Sequence, residues 1–369
     1  ANGDSIDASI NNMTDFDLVL NDLFKVKGKA SGKIQANEVS ADIVLEKIDL
    51  TSLGALISKD ILRDISGDAS AVLHLSGDIS DPRIEGRILF SNFIIDPNLY
   101  VLEKMGPFNA EITISDGVVE LSPTIVNIGT GDISLAATAN LARWQLSDIK
   151  VFFSTLEKAS MRLKGTIGGL NTDGIWIKGD IKAAISSDFV EIGGNILLDN
   201  GTLEVDPNGF VFSENTQSPV SPLYLNLIVT FGKNVQMYIP NKDISLIKGT
   251  ISPTSTLKVQ YDQAKGDLAV NGSIELRSGY IYYLLRDFFI KECTIELSEN
   301  QSKFNPVMTV IAELMEPSKD GMIKITLSAN KSPIDNFNPV LSSVPPKSQI
   351  ELLALLGGGL ALSELAENT

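Results

Sequence analysis

Apolar and polar residues alternate in short runs from about residue 67 to residue 330, and Gly, Asn, Asp and Pro separate these runs. Side chains of a β-strand point alternately to opposite faces, so each run predicts a strand with one apolar and one polar face. The pattern predicts an all-β protein with a long, antiparallel-type sheet. The apolar positions assigned to its inner face are Ile84, Ile88, Phe90, Ile94, Ile133, Leu135, Leu223, Leu225, Leu227, Val229, Leu268, Val270, Ile274, Leu276, Ile323, Ile325 and Leu327.

Composition narrows the class of partner. The chain has 369 residues, 43% of them apolar, which is enough to bury a large core. Its net charge of -16 disfavours nucleic acid and anionic lipid surfaces, because both require clustered Lys and Arg. The sequence contains no signal peptide and no apolar span of about 18 residues. Because it starts in mid-pattern at Ala1, we expect a fragment whose membrane anchor lies outside it.

Three segments depart from strand periodicity. Residues 51–65 have apolar residues at helical spacing, which predicts a short amphipathic helix that plugs one end of the sheet. Residues 282–290 are apolar without clear alternation and fit either a turn of helix or a bulky strand edge. Residues 348–356 predict a second helix, entered through Pro345 and Pro346 and ended by the glycine run at 357–359. We expect its stripe of Ile350, Leu353 and Leu356 to dock on a partner or to cap the end of the sheet.

Enzyme chemistry finds no support in the residue types. The lone His74 alternates with Leu73 and Leu75 on a predicted strand, so it should face solvent or a neighbour. Cys293, the only cysteine, is predicted to be a packing residue. A chain with one His and one Cys also lacks the ligand spacing of a zinc site. Trp144 and Trp176 are isolated and are expected in the core or on a groove wall. We therefore predict no catalytic, cofactor-binding or metal-binding residue and no enzyme activity.

The order of elements between residues 49 and 94 is distinctive. Asp49-Leu50, an apolar helical segment, Ile65-Ser66-Gly67, a strand at residues 69–75 and the turn sequence before Arg87 follow one another. This unit resembles the repeated unit of the AsmA-like family, which includes TamB proteins. The downstream half resembles the TamB C-terminal domain in residues 194–203, 270–280, 289–290, 304–306 and 342–356. In the last of these, Val344 and Lys347 depart from the family pattern.

The resemblance implies an elongated, curled β-sheet, a β-taco, with an apolar inner groove. It also implies a place in the periplasm of a double-membraned bacterium, bridging the inner and outer membranes. The expected organisation is a β-repeat region at residues 1–160, a β-groove region at 161–341 and a helical tail at 342–369. Implied partners are phospholipid and a BamA- or TamA-like outer-membrane barrel protein, and no cofactor is implied.

Two functions remain open on the sequence. One is a conduit for phospholipid acyl chains along the apolar face; the other is a scaffold that holds an outer-membrane barrel-assembly partner through its sheet edges and tail. From alternation alone, the sealed core of a sandwich or solenoid is the commoner outcome, and the resemblance favours the groove. A transmembrane barrel also alternates, but two Trp and seven Tyr are too few for its aromatic girdles.

Overall fold

The computed structural model describes residues 5–11, 14–23, 25–54, 59, 62–98, 102–156, 161–167, 169–207, 222–265, 267–300, 305–318 and 321–357. Strands make up 77% of these residues, so the predicted all-β class is confirmed. The chain divides into two compact units. Unit 1 comprises Ala1–Arg162, Lys178–Gly194 and Pro219–Tyr224, and unit 2 comprises Leu163–Ile177, Asn195–Ser218 and Leu225–Thr369.

The first ten strands follow one another as antiparallel neighbours within unit 1. In addition, the second half of β12 pairs with β10. The strands are β1 (Ser5–Asn11), β2 (Asp15–Leu23), β3 (Val26–Gln35), β4 (Glu38–Asp49), β5 (Leu62–Asp78), β6 (Arg83–Pro97), β7 (Met105–Ser115), β8 (Val118–Ile128), β9 (Gly131–Ala142), β10 (Gln145–Thr155), β11 (Met161–Ile167) and β12 (Leu170–Ile185), with helix α1 (Thr51–Gly54) between β4 and β5. Residues 163–177, which include most of β11 and the first half of β12, belong to unit 2.

Unit 2 is also mainly antiparallel, and its last five strands pair in sequence order. A 3-10 turn at Ile334–Asn336 connects the last two of these strands. β14 and β16 form a parallel pair. The remaining elements are β13 (Val190–Asp199), β14 (Gly201–Val205), β15 (Leu223–Phe231), β16 (Val235–Pro240), β17 (Ser245–Ile251), β18 (Thr256–Asp262), β19 (Asp267–Tyr283), β20 (Arg286–Asn300), β21 (Val307–Ser318), β22 (Gly321–Pro333), β23 (Val340–Val344) and helix α2 (Gln349–Leu355).

The helix predicted for residues 51–65 is much shorter than expected. Helix α1 ends at Gly54, and by Leu62 the chain is already in β5. Leu62 and Ile65 pair with Pro97 and Ile95 of β6, so cross-strand pairing overrides the helical spacing of the apolar residues. Leu56, Ile57 and Ile61, which were also assigned to the helix, lie outside the described residues.

Residues 282–290 form a hairpin, not a turn of helix. Tyr283 of β19 pairs with Arg286 of β20, which leaves Leu284 and Leu285 as a two-residue turn. Both leucines have positive φ, 49° and 62°, the conformation that a tight hairpin turn requires. The sequence does not predict this turn, because Asn or Gly usually occupies such positions and here both residues are leucine.

The second predicted helix is confirmed. The Ser348 hydroxyl accepts a hydrogen bond from the Glu351 backbone N–H at 3.3 Å, and the Glu351 carboxylate accepts one from the Ser348 N–H at 2.8 Å. This reciprocal capping box fixes the start of α2. Gly357, with φ 88°, follows the last turn and ends it.

The core of unit 2 is tightly filled. Its cluster of buried apolar side chains draws on strands from β12 to β23 and on α2, and its largest fully buried members include Phe231, Phe288, Met237 and Met308. Cys293 belongs to this cluster, and burial raises the pKa of its thiol to about 12.

We therefore expect Cys293 to resist thiol-specific labelling in the native protein, because both access and thiolate formation are suppressed. In a urea titration at pH 8, labelling should begin only where unit 2 unfolds. Above pH 9 the unfolded thiol ionises while the native one does not, so this group's contribution to stability should decrease. Rapid stoichiometric labelling without urea would contradict the filled core.

Candidate functional site on the apolar faces

Three predicted groove residues on β6 line one face of unit 1. Ile84, Ile88 and Phe90 pair with Leu75, Ala71 and Ala69 of β5, respectively. The β5 partners are buried, whereas the three β6 side chains are only half-buried. The neighbouring Arg87 is exposed on the opposite face. We call the face that carries Ile84, Ile88 and Phe90 the inner face of unit 1.

Ile94 does not continue this face. The register between β5 and β6 shifts between the Ser66–Ile94 and Asp68–Ser91 pairs, and Asn92 adopts a φ of 51°. A bulge of one residue reverses the alternation beyond it, so Phe93 takes the inner position. The Phe93 ring lies 5.3 Å from that of Phe90 and 5.1 Å from that of Phe108. The expectation that Ile94 shares a face with Phe90 is therefore wrong.

The inner face continues on β8, β9 and β10. Ile133 pairs with Val126 of β8, and both side chains are buried. Leu135 pairs with Phe153 of β10, and both are half-buried. Unit 1 therefore combines a buried floor with large apolar side chains that water still reaches.

One rim of unit 1 is drawn together by contacts between turns. The Arg143 N–H donates to Asp81 Oδ1 at 2.7 Å, and Trp144 Nε1 donates to the Ile79 carbonyl oxygen at 3.0 Å. These turns join β5 to β6 and β9 to β10, so four strand spacings, roughly 19 Å, would separate them in a flat sheet. The sheet of unit 1 must therefore bend strongly at this rim. Trp144 is 54% exposed, which corrects its expected place in the core or groove wall.

An ion cluster links β5 and β6 at the ends that lie away from the turn between them. Asp96 is 7% exposed and lies 2.7 Å from an Arg63 guanidinium nitrogen and 3.2 Å from Lys104 Nζ. Burial raises the pKa of this carboxyl, but hydrogen bonds and charge from Arg63 and Lys104 outweigh it and hold the pKa below its usual value. Asp96 thus links the start of β5, the end of β6 and the residue before β7.

The predicted groove residues of unit 2 are more deeply buried. Val270, Ile274 and Leu276 of β19 lie in its core, together with Ile323, Ile325 and Leu327 of β22. On β15, Leu225, Leu227 and Val229 are half-buried; Leu223, at the start of that strand, belongs to unit 1 and is also half-buried. The side chain of Leu268 lies outside the described part of the chain. Solvent therefore reaches the apolar face in unit 1 far more than in the core of unit 2.

Helix α2 covers the core of unit 2 with two of the three residues of the predicted stripe, and Leu352 takes the place expected of Ile350. Leu352 and Leu356 are fully buried in that core, and Leu353 packs against it. Ile350 is 66% exposed, as is usual for a residue outside the packed face, and Pro345 and Pro346 are exposed as well. Sequence reasoning missed Leu352, although its i, i+4 spacing to Leu356 was the available signal.

The two candidates for reactive chemistry are accounted for by local contacts. His74 is exposed, and its Nδ1 lies 2.8 Å from Asp42 Oδ1 on the neighbouring strand. Cys293 lies in the filled core. In the part of the chain that the structure describes, no group of three His, Cys, Asp or Glu side chains could hold a metal ion.

Comparison with known families decides the assignment. The TamB C-terminal domain family matches residues 116–369. The chain belongs to the TamB family. No curated protein and no solved structure matches it. Membership gives this TamB-family chain a general role in lipid or protein transport at the cell envelope, within a family of transport modules and not of known enzymes. Among its described residues, no helix is long and apolar enough to cross a membrane.

A charge placed on each face should separate the two kinds of interior. Ile325→Arg buries an unpaired cation in the core of unit 2 and should cost about 3–5 kcal/mol of unfolding free energy. Ile88→Arg should cost less than about 2 kcal/mol of unfolding free energy, because the long arginine side chain can reach water from a half-buried position. Urea titrations followed by circular dichroism measure both. Equal losses of stability would mean that the inner face of unit 1 is sealed.

Proposed function

We propose that this TamB-family chain carries phospholipid by holding acyl chains against the inner face of unit 1. The observation that carries the proposal is the half-burial of Ile84, Ile88, Phe90 and Leu135 beside a buried floor. Large apolar side chains that remain open to water are a surface to which another apolar molecule can bind.

The energetic benefit of such a surface is large. Exposing an acyl chain of about sixteen carbons to water costs roughly 13 kcal/mol of free energy, at about 0.8 kcal/mol per CH₂ group. Contact with the inner face removes much of that cost. Ile, Leu and Phe side chains offer similar contacts along the strands, so no single deep site would trap the chain.

Passage through unit 2 has a further requirement. Ile274, Ile325 and their neighbours are packed in a filled core, so an acyl chain could enter there only if the core opened. We infer that unit 1 provides the binding surface and that the core of unit 2 resists lipid entry in this conformation. In the envelope, the full-length protein would be anchored in the inner membrane and reach through the periplasm towards the outer membrane.

Photo-crosslinking tests where the acyl chains lie. A crosslinking residue at Ile88 or Leu135 should capture phospholipid when the protein is purified from membranes, whereas one at the adjacent, outward Arg87 should not. A residue at Ile325 should give no adduct, because its surroundings are filled. If native mass spectrometry found no bound lipid and Ile88 gave no adduct, the lipid function would be excluded.

A second candidate is a scaffold for an outer-membrane barrel-assembly partner. The favouring observation is an exposed apolar group at the C-terminal end of unit 2: Val340 and Val344 on β23 and Ile350 on α2 are each more than 60% exposed. A BamA- or TamA-like barrel protein could pack against these side chains. This role would not require an open interior.

Ile350→Asp tests that scaffold role, because the side chain is exposed and its replacement should leave the fold intact. We expect reduced recovery of the barrel partner in pull-downs with unchanged strand content. Leu352→Asp is the matched comparison, since it should destabilise the core of unit 2 by several kcal/mol. Unchanged partner recovery with Ile350→Asp would leave α2 as a packing helix only.

A further inference from the structure

A small site lies on the outer face of the unit 2 sheet. Ser245, Lys248, Tyr280, Tyr282 and Asp287 line a cavity of about 240 Å³ on β17, β19 and β20. A second cavity of about 200 Å³ adjoins it, shares Lys248 and Tyr280, and extends towards Gln236, Thr250, Ser278 and Phe289. We call the first group the outer-face site.

Strand alternation places this site away from the core. Ile247, Ile281 and Phe288 are buried in unit 2, so their sequence neighbours Lys248, Tyr280, Tyr282 and Asp287 point to the opposite face. A register shift between β16 and β17 interrupts the alternation between Ile247 and Ser245. Lys248 pairs directly with Tyr280, and Tyr282 pairs with Asp287. The Tyr280 ring packs edge to face with that of Phe289 at 5.4 Å, which fixes one wall of the cavity.

The charges of the outer-face site do not neutralise each other. Lys248 Nζ lies 5.5 Å from the centre of the Tyr238 ring, and within the described ranges it has no carboxylate within 4.0 Å. Asp287 likewise has no cation within that distance among the described residues. Nearby, by contrast, Lys291 and Lys324 both pair with Glu313, at 3.6 and 3.0 Å. A cation and an anion thus line one cavity without forming an ion pair with each other.

This arrangement complements a zwitterion. An ammonium group is attracted by the faces of tyrosine rings and by a carboxylate, which Tyr280, Tyr282 and Asp287 provide. A phosphate group forms charge-assisted hydrogen bonds with a lysine, here Lys248. Phe289, which is exposed and lines the second cavity, can contact the apolar part of the same ligand.

We propose that the outer-face site binds the phosphoethanolamine head group of a zwitterionic phospholipid, which rests on the proposed lipid function. Phosphate would lie at Lys248 and the primary ammonium between the tyrosine rings and Asp287. An anionic head group without an ammonium would leave Asp287 unneutralised and repelled. The site therefore selects lipid by head group, separately from the acyl-chain contacts of unit 1.

Short-chain lipids below their micelle-forming concentration test this selection on the full chain by calorimetry. Dihexanoyl phosphatidylethanolamine should bind at least about tenfold more tightly than dihexanoyl phosphatidylglycerol. Lys248→Met and Asp287→Asn should each weaken phosphatidylethanolamine binding about tenfold, and Asp287→Asn should also bring the two affinities close together. Lys258→Met, at an exposed lysine on β18, is the matched control and should change neither affinity.

Equal affinities of the two lipids for the unaltered protein would overturn the proposal, as would unchanged binding in both site variants. A zwitterionic dipeptide that bound as tightly as phosphatidylethanolamine would reassign the site to peptide termini and overturn it too. Strand content and protection of Cys293 establish that the variants are folded.

Crosslinking separates this inference from the lipid function of unit 1. A crosslinking residue at Ser245 should capture phosphatidylethanolamine from membranes, as one at Ile88 should. An adduct at Ile88 without one at Ser245 would overturn the outer-face site and leave the acyl-chain surface standing. An adduct at Ser245 alone would support the outer-face site and exclude the inner face of unit 1.

Discussion

One-sided burial is the constraint on which this structure depends. Successive side chains of a strand face opposite ways, so each hairpin has one apolar face that must be covered. Unit 2 covers it with side chains from many strands and from α2, and Ile325, Leu327 and Met308 are excluded from water. Unit 1 covers it only in part, and Ile84, Ile88 and Phe90 stay half-buried. The same alternation thus produces a filled core in one unit and an accessible apolar face in the other.

The sequence predicts the strands well because alternation and turn residues are local signals. It also predicts α2, since apolar residues at helical spacing and the glycine run that follows them are local signals as well. It fails at Ile94, because the prediction continued strict alternation past Ser91 and Asn92, two successive polar residues where a bulge brings Phe93 onto the inner face. It fails again over residues 51–65, where pairing with β6 decides the conformation, and at Leu284 and Leu285, where two leucines occupy positions usually taken by Asn or Gly.

The candidate site was predictable as a face but not as an accessible surface. Periodicity identifies Ile88 and Ile325 equally well as inward residues, and nothing in either run distinguishes them. The difference depends on what lies across from each side chain in space. Ile88 lies beside Ala71 on the neighbouring strand and stays half-buried, whereas Ile325 is buried in a cluster that contains side chains from many strands and Leu352 of α2. The outer-face site depends likewise on cross-strand register, which places Lys248 beside Tyr280.

The contacts between the rim turns of unit 1 have a consequence for cooperativity. In a repeat protein each hairpin normally touches only its neighbours, so the stack can open one hairpin at a time. Here Asp81 and Ile79 accept hydrogen bonds from Arg143 and Trp144. These bonds join two turns that are separated in the sheet by the hairpin of β7 and β8. That intervening hairpin cannot separate without either breaking both bonds or carrying its neighbours with it. The β5–β10 segment should therefore behave as one mechanical element, and separating the two turns of this rim should require both bonds to break.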